Sequence, residues 1–512
     1  MAGTTFAAID VGSYNVSMEI FEISGRAGLR SLNRVRAHLE LGKDTFAFHR
    51  ITMEKLEEMV NILQDFCRIM KEYQVSAYRC CAKSAFREAR NHVFAVNHIK
   101  RMTGIQVDVL SNAEQRFIGY KSIASRGEEF QKFIEKRTAI IDVGGGSVQI
   151  SLFDKDALVV TQNLRLGSLR IRQELRPFEK ETVHYDMLAE QIMNREIENF
   201  RKMYLTKDKI HNIILVGDFF TNLILQNKGD LNKIESKQEF LNWYDHVMAV
   251  SPREIARELD MPAEISSVLI PTAVLYRKLI EELGAETIWL PGIQLTDGIA
   301  FDYGIRHKIV TTTHDFEKDI LSASRKIAAR YSCSKKHTDA LLTVSSAIVS
   351  ALGKAYSLDA RSRLLLKVAC NLHECGRYIS LSESDLCAYN IIRSSEIIGL
   401  SEKERLIIAN AVRYMSTEIT DYSSIPGDSI LKETDLILIT QLTAILRLSE
   451  ALDAGYMQKV LSVKAVRKEK KLLITVEVKQ DFTLEQGIFE KHIDFFEEIF
   501  TLRPVLKIKK RI

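Results

Sequence analysis

A chain of 512 residues with 71 basic against 67 acidic side chains is only mildly positive, so bulk charge singles out neither nucleic acid nor an acidic surface as its partner. With 46% hydrophobic residues and seven prolines the composition is that of an ordinary globular protein with large cores, which excludes a disordered chain, and the length corresponds to roughly three to four domains. No stretch reaches the roughly 18 apolar residues that a membrane helix needs, Met1 to Asp10 carries no basic leader, and the seven cysteines lack metal-ligand spacing, so reduced buried thiols and a cytoplasmic location are expected.

Taken in chain order, the apolar run Phe6 to Ile9 ends on Asp10, turns through Gly12 and Ser13, and resumes as a second apolar run, which reads as strand, tight turn, strand. Leu56, Met59, Val60, Leu63 and Phe66 predict a helix over 53–72, and Ser76 to Cys81 a strand. At Thr138 the opening pattern returns. Ile140 to Asp154, IIDVGGGSVQISLFD, repeats Ala8 to Glu22, AIDVGSYNVSMEIFE, in register, with Asp10 and Asp142 lying 132 positions apart. A strand over 157–163, a helical region near 187–203 and a strand over 213–216 follow, and this second copy closes near Asp302. Beyond about Gly304 the apolar spacing is helical only, over 336–352, 362–372, 402–415 and 434–452. The last segment alternates as strands, with one over 472–478, and ends in the basic run Lys507, Lys509, Lys510, Arg511, read as a solvated tail.

The repeat means two copies of one device. Glycine at the turn lets backbone N–H groups converge on an anion, and the leading aspartate can hold a hydrated divalent cation. Two such loops across a cleft would grip a phosphoanhydride.

Four ordered segments narrow this further: Asp10-Val11-Gly12-Ser13; Lys83 to Ala89 with Asn91; Ser111 to Arg116; and Asp142 to Ser147. Together they resemble the Ppx/GppA family of exopolyphosphatases and guanosine pentaphosphate phosphohydrolases, within the actin, sugar-kinase and heat-shock ATPase superfamily. The resemblance implies an α/β fold: a duplicated actin-like (ribonuclease H-like) pair of domains over 1–132 and 133–303, then an all-α HD-like domain over 304–460 and a small C-terminal α+β segment over 461–512. It also implies Mg2+-dependent release of terminal phosphate from inorganic polyphosphate or guanosine pentaphosphate by a homodimer, with guanosine tetraphosphate a further ligand and no nucleic-acid or membrane partner.

In that reading the amides of Gly12, Ser13, Gly144, Gly145, Gly146 and Ser147, with Lys83, Ser84 and Arg87, clamp the phosphate. Asp10 and Asp142 are the expected Mg2+ positions, through water. Glu114 is the expected general base: aligning Arg116 with the family arginine puts Glu114 on the catalytic glutamate, and Phe117-Ile118 then also match. Sliding by one residue would put Gln115 there, and an amide cannot take a proton.

Several positions depart from the family pattern. Tyr14-Asn15 follow Ser13, Lys83 replaces a threonine, Gln149 replaces a carboxylate that helps place metal and water, and Val216 to Thr221, with bulky Phe219 and Phe220, replaces a glycine-rich turn. Reduced turnover or an altered substrate is one expectation; a weakened polyphosphate- or alarmone-binding sensor is the alternative. A kinase or ATPase would need an adenosine pocket, and the altered Gly217 turn argues against one. In the helical half, His337, His373-Glu374 and Glu450 stand where an HD-type site has its ligands. Tyr389-Asn390 and Arg413 to Met415 lack the other imidazoles, so no metal-dependent hydrolysis is expected there.

Overall fold

The computed structural model describes residues 3–510 apart from 14, 26–27, 179–184, 206–208, 218–232, 259–265, 313 and 428–429. Phe6 to Val11 is buried at every position, as a strand must be when both faces of its sheet are covered. This strand, β1 (Thr4–Val11), pairs antiparallel with β2 (Asn15–Ser24), which pairs antiparallel with β3 (Gly28–His38). On its other side β1 pairs in parallel with β4 (Ala77–Ala82), and β4 with β5 (Val107–Val109), giving the order β3-β2-β1-β4-β5. Ala7, Ile9 and Val11 face one core, under the helix Met53–Glu72. Phe6 and Ala8 face the other, the two-residue alternation that a pleat imposes.

The second sheet repeats this plan. β6 (Thr138–Val143), β7 (Val148–Asp154) and β8 (Ala157–Leu164) are antiparallel in sequence order. β6 then pairs in parallel with β9 (Asn212–Val216) and β9 with β11 (Thr287–Leu290), while β10 (Lys233–Ser236) forms the far edge, for the order β10-β11-β9-β6-β7-β8. The turns match in detail. Val11 pairs with Val16 and Val143 with Val148, and the turn is closed by Gly12 N–H donating to the Asn15 carbonyl at 2.9 Å and Gly144 N–H to the Ser147 carbonyl at 3.0 Å.

One expectation shifts. The helix Leu295–Arg306 runs through the expected 303/304 boundary, and the compact units divide at Asp315/Phe316. That helix packs back on the first sheet: Ile299 and Ala300 complete the core around Phe6, Ala8, Phe21 and Ile23. Gly298 allows it, because a Cβ there would sit 2.2 Å from the Ile118 carbonyl oxygen on the helix Asn112–Ala124. The buried Asp302 carboxylate then receives Lys121 at 2.5 Å, Arg306 at 2.9 Å and Arg79 at 3.0 Å. Apolar spacing shows that this helix has a buried face but not which sheet covers it.

The second unit, Phe316–Ile512, holds the helices Phe316–Arg330, Lys335–Leu352, Ala360–Leu372, Ser384–Ser394, Glu402–Arg413 and Glu433–Ala451. The first and the fourth of these were not expected from the sequence. The chain then forms β12 (Val460–Lys468), β13 (Lys471–Val478), two short helices and β14 (Arg503–Lys510), in the order β12-β13-β14. The basic run is therefore not a solvated tail: Lys507, Lys509 and Lys510 lie on β14, paired in parallel with β13, and all three are exposed. Of the seven free cysteines, Cys80, Cys81, Cys370 and Cys375 are buried, and burial pushes the Cys81 and Cys370 thiols up to about 12. Among the described residues no helix is long and apolar enough to cross a membrane.

Candidate active site

Both turns reach one cavity of about 420 Å³ within the first unit, the first through Ser13 and not through Gly12. Its wall carries Ser13 from the first turn, Lys83, Ser84 and Arg87 from the end of β4 and the short helix after it, and Gly144, Gly145, Gly146 and Ser147 from the second turn. Asp142, Gln149, Arg165 and Arg170 complete the side of the second sheet. Lysine and arginine outnumber acids among the lining residues: Lys83, Arg87, Arg116, Arg165 and Arg170 stand against Glu88 and Asp142. Such a cavity favours a polyanion.

Each turn is pinned from outside. Gly42 N–H donates to the Ser13 carbonyl at 2.8 Å, and Ser13 Oγ lies 3.1 Å from Ser84 Oγ. The Ser84 side chain therefore joins the first turn and does not cap the helix it opens, whose N-cap position is Lys83. The second turn rests on the start of the helix Ser168–Leu175. Ser168 N–H donates to the Gly144 carbonyl at 3.1 Å and Leu169 N–H to the Gly145 carbonyl at 2.9 Å, while Arg170 Nε holds the Gly146 carbonyl at 3.1 Å. Only glycine fits at 167, where a Cβ would lie 2.2 Å from the Gly146 carbonyl carbon.

Arg87 is half-buried and donates through Nη1 to the Leu110 carbonyl at 2.8 Å and to Gln115 Oε1 at 3.5 Å. Burial, with Arg116 nearby, lowers the Arg87 pKa from its ordinary value. The guanidinium still carries its charge at neutral pH, since arginine titrates far above it.

Glu114 is not brought to the cavity. Its carboxylate Oε2 accepts from Ser111 N–H at 3.0 Å and Ser111 Oγ at 2.7 Å, and Glu114 N–H returns to Ser111 Oγ at 3.3 Å, a complete capping box for the helix Asn112–Ala124. The cavity face of this helix is Asn112, Gln115 and Arg116, continued by Gly119 on an adjoining recess, at the i, i+3, i+4, i+7 spacing of a single stripe. Residue 114 lies about 100° away from 115 on the helix wheel. The side chain that meets the cavity beside Arg87 is thus the amide of Gln115.

The second amide, Gln149, is buried on the wall opposite Asp142 in the β6/β7 ladder. Its Nε2 donates to Ser151 Oγ at 3.0 Å, and Ser151 Oγ lies 3.0 Å from Thr161 Oγ1.

The expected metal positions separate. Asp142 faces the cavity, whereas Asp10 accepts an ion pair from Lys83 Nζ at 3.0 Å, both side chains being nearly buried. Lys83 lies over the first turn, so a Cβ on Gly12 would meet its Cε at 3.5 Å. These residues fit one hydrated Mg2+ on Asp142. Asp10, expected to share the ion through water, is here paired with Lys83. Gly217 lines a recess that adjoins the cavity, and Phe219 and Phe220 lie outside the described residues. Glu88, Asn112, Asn163, Arg165 and Arg170 also line the cavity, with no role foreseen for them; the flanking of Gly167 by two arginines was the available signal for the last pair.

The model of the Ppx/GppA phosphatase family matches residues 20–307, more than half of the chain, and that of Ppx/GppA phosphatase domain III matches 321–494. The chain belongs to the Ppx/GppA phosphatase family. Among solved structures, an exopolyphosphatase from Cytophaga hutchinsonii is similar with a TM-score of 0.52 at 18% identity, over 60% of this chain and 99% of its own. A Ppx/GppA family member from Aquifex aeolicus gives 0.50 at 18% identity over 59% and 98%, and an exopolyphosphatase-like protein 0.51 at 20% over 60% and 100%. At these identities the likeness is one of fold.

Proposed function

We propose that the cavity receives the terminal phosphates of a phosphoanhydride chain, inorganic polyphosphate or guanosine pentaphosphate, and that phosphate release from it is slow. The observation that carries the reading is the meeting of both glycine turns, Lys83 and four arginines around one space. Turn amides and guanidinium groups are the donors that charge spread over phosphoryl oxygens requires. Arg87, with its planar fork, is placed to take two oxygens of one phosphate.

Hydrolysis also needs a water deprotonated as it attacks phosphorus. Gln115 can orient such a water through its amide but cannot accept its proton, and Gln149 adds no charge. Asp142 and Glu88 are the acids left on the wall. Asp142 would hold Mg2+ through water, and the ion would supply further neutralisation of the chain end. The second reading, binding without turnover, is favoured by these two amides.

Phosphate release from polyphosphate, guanosine pentaphosphate and ATP, with and without Mg2+, tests the proposal. Slow release from one of the first two, with little from ATP, is expected. Saturable binding without release establishes the second reading, and neither binding nor release refutes both.

A further inference from the structure

In the helical unit two histidines bury nitrogen atoms that nothing around them satisfies. His337 is 0% and His373 7% exposed, and among the described residues the Nε2 atom of each is buried with no hydrogen-bond partner. The tautomers follow from the other ring nitrogen. His373 Nδ1 lies 2.8 Å from the Cys370 carbonyl, which only accepts, so the proton is on Nδ1. His337 Nδ1 lies 2.7 Å from Asp453 Oδ2, a carboxylate that also accepts from Gln458 N–H at 2.7 Å on Oδ1. In its neutral form each imidazole therefore carries its lone pair on Nε2. Leaving such an acceptor buried and unmet costs about 1–3 kcal/mol.

A carboxylate stands beside them. Glu374 is 5% exposed, and one ligand atom from each of His337, His373 and Glu374 lies within 4.8 Å of the other two. Glu374 is held by Ser334 N–H at 2.8 Å, by the Tyr456 hydroxyl at 2.6 Å and by an ion pair from Arg377 Nη1 at 3.1 Å, and the Tyr456 ring stacks on His337 with centroids 3.9 Å apart.

We propose that this unit binds one divalent transition-metal ion, of the zinc class, between His337 Nε2, His373 Nε2 and the Glu374 carboxylate. Two imidazoles and a carboxylate are a donor set that suits zinc, at bond lengths of about 2.0–2.2 Å. The second shell is already built: each ligand histidine gives its Nδ1–H to a carboxylate or a carbonyl, the arrangement that fixes ring orientation in metal sites. Binding draws the three atoms inward by side-chain rotation and fills both vacant acceptors. These three protein ligands leave the fourth position of a tetrahedral ion to water. The ion ties the start of the helix Lys335–Leu352 to the end of Ala360–Leu372 and, through Asp453, to the segment that follows Glu433–Ala451.

The test is Co2+ titration of the full-length protein, free of any affinity tag and stripped with a chelator. Visible d–d absorption bands that saturate at one equivalent and are displaced by Zn2+ are expected, with a rise in melting temperature on adding Zn2+. His373→Gln should abolish the bands. Asp453→Asn, which keeps all three ligands, should weaken Co2+ binding by roughly 10–100-fold. If His373→Gln does not fold, His337→Gln and Asp453→Asn carry the comparison. No bands and no Zn2+-dependent melting shift in the wild type would mean that the space holds water, and equal affinity in wild type and Asp453→Asn would place any bound ion elsewhere; either result overturns the proposal.

Discussion

Gln115→Glu should turn this cavity into a faster hydrolase. The substitution keeps the side-chain length and places a carboxylate on the cavity face of the helix Asn112–Ala124, beside Arg87. A positioned general base adds about 10²–10⁴-fold to a rate, which is ~2.7–5.4 kcal/mol off the barrier. Arg87 Nη1, 3.5 Å from Gln115 Oε1, would hold the new carboxylate in its charged form and make it a weaker base, so the lower end, about 10²-fold, is expected. The assay is phosphate release from polyphosphate under single-turnover conditions across pH 4 to 9, where only the variant should gain a new acid limb. Glu114→Gln is the control, because glutamine also serves a capping box and the rate should stay within about twofold. If Gln115→Glu binds polyphosphate as well as the wild type yet releases phosphate no faster, the assignment of residue 115 to the water position is wrong. If Glu114→Gln removes the wild-type activity, the base is the capping residue after all.

Three further outcomes are expected. Gly167→Ala forces the second turn from its seat on the helix Ser168–Leu175, so polyphosphate affinity measured by calorimetry should fall at least tenfold while the far-ultraviolet circular dichroism is kept. Lys83→Thr removes the ion pair on Asp10, so the Mg2+ dependence of polyphosphate binding should steepen, and an unchanged dependence would show that Asp10 does not take part. Asp302→Asn leaves the buried Lys121 ammonium short of its counter-charge and should cost about 3 kcal/mol in denaturant unfolding at neutral pH. Burial pushes the Asp302 carboxyl up, but Lys121, Arg306 and Arg79 outweigh it and hold the pKa below the ordinary 3.8. The stabilisation is therefore complete above 3.8 and is lost as pH falls through the lower folded value, so the wild type should lose more stability than the variant over that acid window.

The fold was largely legible because its signals are local. The helix read over 53–72 is Met53–Glu72, and the repeat at Asp10 and Asp142 is a pair of hairpins with the same register and the same turn bond. What local pattern does not carry is which surface an element meets. The helix Leu295–Arg306 follows the second copy in sequence but covers the first sheet, and the C-terminal lysines look like a tail until β14 pairs with β13. The expected base, Glu114, does not line the cavity, for a physical reason that was present in the chain. Ser111 followed three residues later by Glu114 is the signature of a capping box, which commits that carboxylate to the helix end, and the stripe through Asn112, Gln115, Arg116 and Gly119 marks the neighbouring face.

Calorimetric titration of the full-length protein with a medium-length polyphosphate, at low and at physiological salt, tests the shared cavity most directly. One saturable site is expected, weakened by salt and weakened about ten- to a hundredfold by Arg87→Ala, as the loss of a charge-assisted contact implies. No saturable binding at low salt, or an affinity that Arg87→Ala leaves untouched, would contradict a phosphate-chain receptor between the two turns.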